Sequence, residues 1–457
     1  MSSSVEFEQW RRRLDPFDRD VLALAMLMAL GTLLSLASIS PLSAGLLIAA
    51  AVVASWRPTG AAWAVGVALP TVAHPVSVGN SVFTLLELAI LVAFLGFSWS
   101  SFVSLVRTRR VSWFSADRDL VVPAFVGASL LTAGVLSLIY QVDPGHRAEA
   151  LRVFRWTIVE PLMLFLVMRQ AILNRGARPL FWVVVGTGAV TAAVAMVILA
   201  VEPGRFEGDG VPRALAPYLH PNNLALYLER VFVLLAGAVI LGGVRLSRWT
   251  LVLGAVIGCA LLLTLSRGMV PAVVAGIVLA AWMARNRRLV AGAVVAAAGG
   301  GVVLMLAVAH RSRGDSLDDF VGERRYVWSA AVEMIRDYPV SGIGMDQFLS
   351  QHAPRYIAPE AWSERYLSHP HNVFLDAWLS LGVSGVLLLV IAVGLLVRVA
   401  VQQRESERWI AGAATAALTT GLVHGLVDNG YFLPDLAAMT WMLVAMIATP
   451  SAMDARE

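Results

Sequence analysis

The chain contains no lysine, so all 35 of the basic residues among its 457 are arginine. Codon bias accounts for that absence in a sequence so rich in alanine, valine and glycine, but the chemical consequence stands. Every cationic contact has to be made by a guanidinium, which stays charged at depth and grips a phosphate through two parallel donors. Cysteine is nearly absent too. Cys259, the only one, excludes an intrachain disulfide and reads as a small residue inside an apolar run. Charge of either sign is thin, at 14% of residues against 58% hydrophobic. A soluble domain has about 25% charged and about 45–50% apolar residues, so an ordinary soluble fold is excluded. Despite a net charge of +4, nothing here calls for a nucleic-acid partner, because arginine in the loops of a membrane protein mainly sets its orientation. A cleavable signal peptide is not expected, since the polar segment SSSVEFEQWRRRLDPFDRD leads into a run from Val21 that no small-residue cleavage pattern follows.

What the sequence does contain is a series of apolar runs. They fall at 21–38, 42–56, 60–73, 82–105, 120–140, 157–173, 179–201, 222–243, 249–265, 269–284, 289–309, 372–397, 409–427 and 434–449. Such runs in a bilayer are helices. The fold class expected is therefore all-α: a single polytopic membrane domain of twelve to fourteen spans, the second and third open to reading as a re-entrant pair. Between the run ending at 309 and the one beginning at 372 lies a large polar loop, residues 310–371.

Arginine placement orients the chain. With the N-terminus inside, the inner segments collect Arg11, Arg12, Arg13, Arg107, Arg109, Arg110, Arg285, Arg287, Arg288, Arg398, Arg404 and others, while the short outer loops hold only Arg147, Arg152, Arg155, Arg205, Arg213 and Arg267. That asymmetry is the positive-inside pattern. It puts both termini in the cytoplasm and the large loop outside. Ionisable residues at the span ends gather on the same outer side: Glu87, Glu160, Glu229, Arg230, Arg267, Asp376, His424 and Asp428. Charges at such depth face a cavity or a partner, and the expectation is a polar cavity open to the outside. Snorkelling to the interface is an equal reading for Glu160 and Asp376. Glu229 and Arg230, deeper in and adjacent, require separate partners.

Three polar stretches carry candidate chemistry. In GDGVPRALAPYLHPNNLALYLER, Arg213 precedes His220-Pro221-Asn222-Asn223, which opens a span. Pro and Asn are helix-start residues, and an arginine beside a helix N-terminus suits a phosphate. In TLSRGMVP, Gly268 and Pro271 interrupt the helix and leave Arg267 at the break. In the large loop, Arg325 and Trp328 share a helix face at i, i+3, and Val332 and Ile335 continue an apolar stripe of a helix laid along the membrane as a lid. Asp337-Tyr338-Pro339 ends that helix, and Gly342 and Gly344 make a tight turn. Arg325 fits a bracing role as well as a ligand contact. His310 and His352 read as solvent-exposed. His369 and His371, at the end of the loop, are read from their spacing of two before a helix as pointing in divergent directions, so only one need enter the cavity. Asn372 caps the next helix. Zinc needs three or four ligands, and no convincing carboxylate or cysteine stands near this pair in sequence, so no metal is expected.

In order, Arg325, Trp328, Asp337, Pro339, Gly342, Gly344 and Phe348, then His369-Pro-His371-Asn372 before a helix with Gly382 and Gly385, resemble the external loop of the O-antigen ligase and O-antigen polymerase superfamily. Arg213 before Pro221-Asn222, and Ser266-Arg267-Gly268, are similar to its other outer motifs; a glycine common in that family is replaced here by Leu215 or Ala216. The resemblance spans about residues 205 to 390. It implies a GT-C-like membrane glycosyltransferase of the cell envelope, as in lipopolysaccharide biosynthesis. Such an enzyme moves a glycan from undecaprenyl pyrophosphate to an acceptor hydroxyl on lipid A-core, glycan or protein, outside the cytoplasmic membrane, without metal or cofactor. His371 would be the base, Arg213 and Arg267 would hold the diphosphate, and Asn222, Arg230, Arg325, Trp328 and His369 would contact substrate. A neutral imidazole can take the proton of the attacking hydroxyl, and no pair of carboxylates is placed for a covalent intermediate, so inversion is expected. The rival class is a transporter or flippase, which would bring an internal repeat and a site near the midplane; neither is visible in the sequence.

Overall fold

The computed structural model describes residues 16–36, 40–73, 75–78, 81–108, 118–203, 207–208, 211–288, 290–292, 317–403 and 408–449. Helices make up nearly all of it. In hydrocarbon a backbone satisfies its own polar groups only in a helix or a closed barrel. The helices are α1 (Pro16–Leu36), α2 (Ser40–Trp56), α3 (Pro58–Ala68), α4 (Leu85–Thr108), α5 (Arg118–Ile139), α6 (Arg147–Phe154), α7 (Glu160–Arg175), α8 (Arg178–Val201) and α9 (Pro221–Ile240). There follow α10 (Arg248–Leu263), α11 (Met269–Met283), α12 (Leu317–Asp337), the short α13 (Phe348–Gln351), α14 (Val373–Gln403), α15 (Trp409–His424) and α16 (Pro434–Ala448). Two antiparallel hairpins interrupt them, β1 (Pro75–Val78) with β2 (Ser81–Thr84) and β3 (Glu207–Gly208) with β4 (Val211–Pro212).

Seven helical stretches among the described residues are long and apolar enough to cross a bilayer, and four further apolar helices are shorter. Large apolar side chains stand on the outside of these helices, with Ile48 67%, Val121 65% and Val190 64% exposed. Those exposures fit lipid rather than water as the surrounding solvent. The chain is thus an all-helical, multi-pass membrane protein, as the apolar runs predict. Every run coincides with a described helix except that at 289–309, which lies almost wholly outside the described residues, as does His310.

The chain divides into two compact units: residues 1–117, 163–187 and 449–457, and residues 118–162 with 188–448. In the first, α1 to α4 approach closely where Gly60 meets the backbone of Asp20 and Gly96 meets Ala54. Asp20 is paired with Arg175 at 2.8 Å. Glu87 is buried. It forms a capping box at the start of α4, accepting from the Thr84 amide (2.5 Å) while Thr84 Oγ1 accepts from the Glu87 amide (3.1 Å).

The second unit is built around α9, which is buried along most of its length and packs against α10, α11 and α15. Its large polar segment is docked. One face of α12 buries Val327, Ala331, Met334 and Ile335 against Ile343, Phe348 and Leu379. The apolar stripe therefore runs through those residues, and Val332, expected on it, is turned outward. Gly342 (φ +65°) and Gly344 (φ +103°) make the expected turn. The turn seats in a break of α14 at Gly382 (φ +67°, ψ −161°), a backbone region essentially confined to glycine. The break frees Leu379 O to accept from the amides of Ile343 (2.9 Å) and Gly344 (3.1 Å), and Val340 O accepts from Val383 N (3.0 Å). Ser137 of α5 secures the same loop, accepting from Met345 N (2.9 Å) and donating to Ser380 O (2.6 Å). His352, expected in solvent, is fully buried and stacked on Phe348 at 5.0 Å. Burial lowers its pKa.

Candidate functional site

Helices α9, α11 and α14 begin, and α10 and α15 end, where the candidate residues meet. At the head of α14, Asn372 acts as the expected cap, its Oδ1 accepting from the amides of Phe374 (3.0 Å) and Leu375 (3.1 Å) and its Nδ2 donating to Leu426 O (2.9 Å). Just before it, His371 takes φ +51°. Even an extended chain puts residues i and i+2 on one face, so a spacing of two gives no ground for divergence. His369 and His371 do not diverge as expected but lie together, ring centroids 4.4 Å apart.

Both rings meet Asp428, in the loop after α15. His371 Nδ1 is 3.1 Å from Asp428 Oδ1, and His369 Nε2 is 3.7 Å from the same oxygen, beyond hydrogen-bond length. Asn429 N also donates to Oδ1 at 2.8 Å, and Asn222 Nδ2 donates to Oδ2 at 2.9 Å. Burial opposes ionisation of Asp428, but the two imidazoles beside it hold its carboxyl well below the usual range. Burial pulls the pKa of His371 below its ordinary value, with His369 and Arg324 adding to the effect against the pull of Asp428. In its neutral form His371 donates from Nδ1 to Asp428 and keeps the lone pair on Nε2.

The start of α9 supplies the next piece. Its N-cap is His220, whose Nδ1 accepts from the Asn222 amide at 3.2 Å. This leaves the Asn222 side chain free to bridge, with Oδ1 accepting from Arg213 Nη2 (3.3 Å) and Nδ2 on Asp428. Arg213 is fixed further by Nε donating to Thr264 O at 2.7 Å. It is thereby tied to the turn between α10 and α11, where Leu265 (φ +53°) presents Ser266-Arg267-Gly268. Under that turn is a buried pin: Glu229 Oε2 is 2.7 Å from His424 Nδ1, and His424 Nε2 is 3.5 Å from Ser266 Oγ. The His424 ring leaves no room for a side chain at Gly268.

From the large segment, Arg324 enters the cluster, its Nη1 donating to Val427 O beside Asp428. Burial lowers the Arg324 pKa, Asp428 opposes that, and the charge of Arg267 adds to it. Arg267 and Arg324 thus feel each other as like charges, an arrangement that an anion would relieve. Sequence reasoning missed Arg324 although a signal was present. At i, i+3, i+7 it shares the face of Val327 and Ala331, whereas Arg325 is exposed and stacks on Tyr326, its Cζ 5.1 Å from the ring centroid. Trp328 is half-buried, its Nε1 without a hydrogen-bond partner. Among the described residues neither Arg325 nor Trp328 is hydrogen-bonded to the cluster.

The other charges at the span ends have local partners. Glu229 pairs with His424, Glu160 with Arg155 at 2.8 Å, and Asp376 accepts from Ser380 Oγ at 3.2 Å. Arg230 donates to Leu226 O (2.7 Å) and Gly430 O (2.6 Å). It also lines an apolar cavity of about 500 Å³ formed with Val373, Leu381, Leu388, Tyr431 and Trp441, which reaches Arg398 and Arg408. The expectation that no carboxylate stands near the histidine pair is corrected as well. Asp428 supplies one, and its ligand atoms and those of His369 and His371 lie within 4.8 Å of one another.

The fold and site define a class: a multi-pass membrane protein with a histidine–aspartate pair and several arginines gathered at one end of its helices. Residues 249–390 match the family model described as O-antigen ligase. The matched segment contains Arg267, Arg324, His369 and His371, and the match supports a relation to the O-antigen ligase superfamily. Arg213, Asn222 and Asp428 lie outside the matched residues and join the site only in three dimensions. No curated protein matches the chain.

Proposed function

We propose that the protein is a membrane glycosyltransferase that moves a glycan from a polyprenyl pyrophosphate to an acceptor hydroxyl on the outer side of the cytoplasmic membrane. The observation that carries this reading is the convergence of His371, backed by Asp428, with Arg213, Arg267 and Arg324. The acceptor oxygen attacks the anomeric carbon as the bond from that carbon to the diphosphate oxygen breaks. His371 Nε2 accepts the hydroxyl proton. The Asp428 carboxylate keeps Nδ1 protonated and steadies the imidazolium that forms, a role familiar from other histidine–carboxylate pairs. Negative charge grows on the departing diphosphate, and preorganised guanidinium donors stabilise it more than water would. One displacement inverts the anomeric centre.

The apolar cavity beside Arg230 suits the isoprenoid part of such a donor, which needs a lipid-like lining. His369, Asn222, Arg230, Arg325 and Trp328 are assigned to substrate contact, Arg325 and Trp328 on the glycan side away from the reacting atoms. Positive-inside sorting puts the site outward and both termini in the cytoplasm. The acceptor separates ligase from polymerase. The test is transfer by purified protein from a polyprenyl-pyrophosphate oligosaccharide, with lipid A-core, oligosaccharide and hydroxyl peptide offered one at a time. Transfer to one of them supports the reading. Donor translocation with no transfer would favour a flippase.

A further inference from the structure

We propose that His369, His371 and Asp428 form a binding site for a divalent transition ion of the zinc type, and that occupying it switches the protein off. The inference goes beyond the transferase reading, and only its inhibitory half rests on that reading. His371 Nδ1 and His369 Nε2 face one carboxylate oxygen at 3.1 and 3.7 Å. With zinc–nitrogen bonds of about 2.0–2.1 Å, neighbouring ligand atoms of a tetrahedral site stand about 3.3 Å apart. The two distances bracket that edge. All three ligand atoms lie within 4.8 Å of one another, so a zinc ion would draw the two imidazoles closer, and coordination would give His369 Nε2, buried and without a hydrogen-bond partner, the contact it lacks. The other Asp428 oxygen is already held by Asn222 Nδ2 at 2.9 Å, the kind of outer contact that orients a ligating carboxylate. Arg324 and Arg267 oppose a cation here and set an upper limit on affinity.

The coupling to activity follows from the imidazole itself. Without metal, Nδ1 carries the proton and Nε2 the lone pair. A metal on Nδ1 requires the other tautomer, in which the proton has moved from Nδ1 to Nε2 and the Nδ1 lone pair binds the ion. The nitrogen that would accept the acceptor proton is then already protonated, and the carboxylate that would support it is engaged. Zinc would act here as an inhibitor, in contrast to its role as an activator of bound water in catalytic sites.

The test uses full-length protein without a polyhistidine tag, stripped with EDTA in detergent and dialysed against zinc or cobalt. One ion should bind per chain, with cobalt giving a visible d–d band that zinc bleaches. His369→Gln and Asp428→Asn should each weaken binding about tenfold or more, while His352→Gln, outside the cluster, should leave it unchanged. No stoichiometric ion, or binding that ignores the His369 and Asp428 substitutions, would overturn the site whatever becomes of the enzymatic reading. In the transfer assay zinc should inhibit and EDTA restore the rate. Inhibition at the same zinc concentration in His369→Gln would overturn the switch.

Discussion

Asp428→Asn isolates the role given to the carboxylate. The substitution keeps size and shape, and the amide oxygen can still accept from Asn222 Nδ2 or Asn429 N, now 2.9 and 2.8 Å from the carboxylate. What changes is the face toward His371. If the amide nitrogen points at Nδ1, the favoured tautomer carries its proton on Nε2, and the base loses its lone pair. If the amide oxygen points there, the tautomer survives but the charge that steadies the imidazolium is gone. General-base contributions are about 10²–10⁴ in rate, and the same exchange in a serine-protease triad lowers turnover by about 10⁴ through the wrong tautomer. At 1.36 kcal/mol per tenfold, the barrier should rise by about 3–5 kcal/mol. Single-turnover transfer with saturating donor reads the chemical step, and a separate donor-binding titration should change by less than about threefold. The double variant with His371→Ala should be no slower than His371→Ala alone, because the two residues act as one unit. A fully active Asp428→Asn, or losses that multiply in the double variant, would refute the pairing.

Arg324→Ala should weaken donor binding and turnover by about tenfold or more, as expected for a charged hydrogen bond worth about 1.5–3 kcal/mol, whereas Arg325→Ala should spare the chemical step and affect glycan affinity alone. Equal losses in turnover would mean that the wrong arginine has been placed in the cluster. Arg267→Lys should remain impaired, because an ammonium cannot reproduce a two-pronged grip on diphosphate; wild-type kinetics would count against phosphate contact. Gly382→Ala forces a side chain into a glycine-only backbone region at a cost of about 1–3 kcal/mol and onto Val340 O, so proteolysis near Val340–Met345 should quicken before the rest of the chain is cut. His352 is buried with a lowered pKa, so the unfolded chain takes up its proton first as pH falls. Its share of stability is intact above the unfolded value of about 6.5 and declines below it until the folded value is passed. The fall in thermal midpoint between pH 8 and pH 5.5 should accordingly be smaller in His352→Phe.

Much of the architecture was legible because hydrocarbon leaves few choices. An apolar run has to be a helix, and Pro221, Asn372 and the Gly342–Gly344 turn mark starts and stops by local chemistry. The site was legible in parts. Arg213, Asn222, Arg267 and His371 were all named from short motifs; Arg213, Asn222 and His371 are linked through Asp428, and the charge of Arg267 reaches Arg324. Asp428 was visible only as a charge closing a span, since its partners Asn222 and His371 are 206 and 57 residues away and no local pattern joins them. His369 and His371 lie on one side, as a spacing of two in extended chain already allows, so the expectation that they diverge misjudged that periodicity. Arg324 is a different kind of miss. Helical periodicity marked it, but the motif pointed to its neighbour. The carboxylates at the span ends looked alike in sequence, yet Glu87 caps a helix while Glu229 secures a turn, a difference that only their partners reveal.

The central claim is that His371 activates a hydroxyl against a diphosphate-linked glycan in a site of arginines. The direct measurement is single-turnover transfer by the EDTA-treated protein in nanodiscs, from a donor of defined anomeric configuration, with the product configuration read by NMR and His371→Ala run in parallel. The wild-type protein should give an inverted product, and His371→Ala normal donor binding with transfer slowed by about a hundredfold. A product of retained configuration, or an unimpaired His371→Ala, would contradict it.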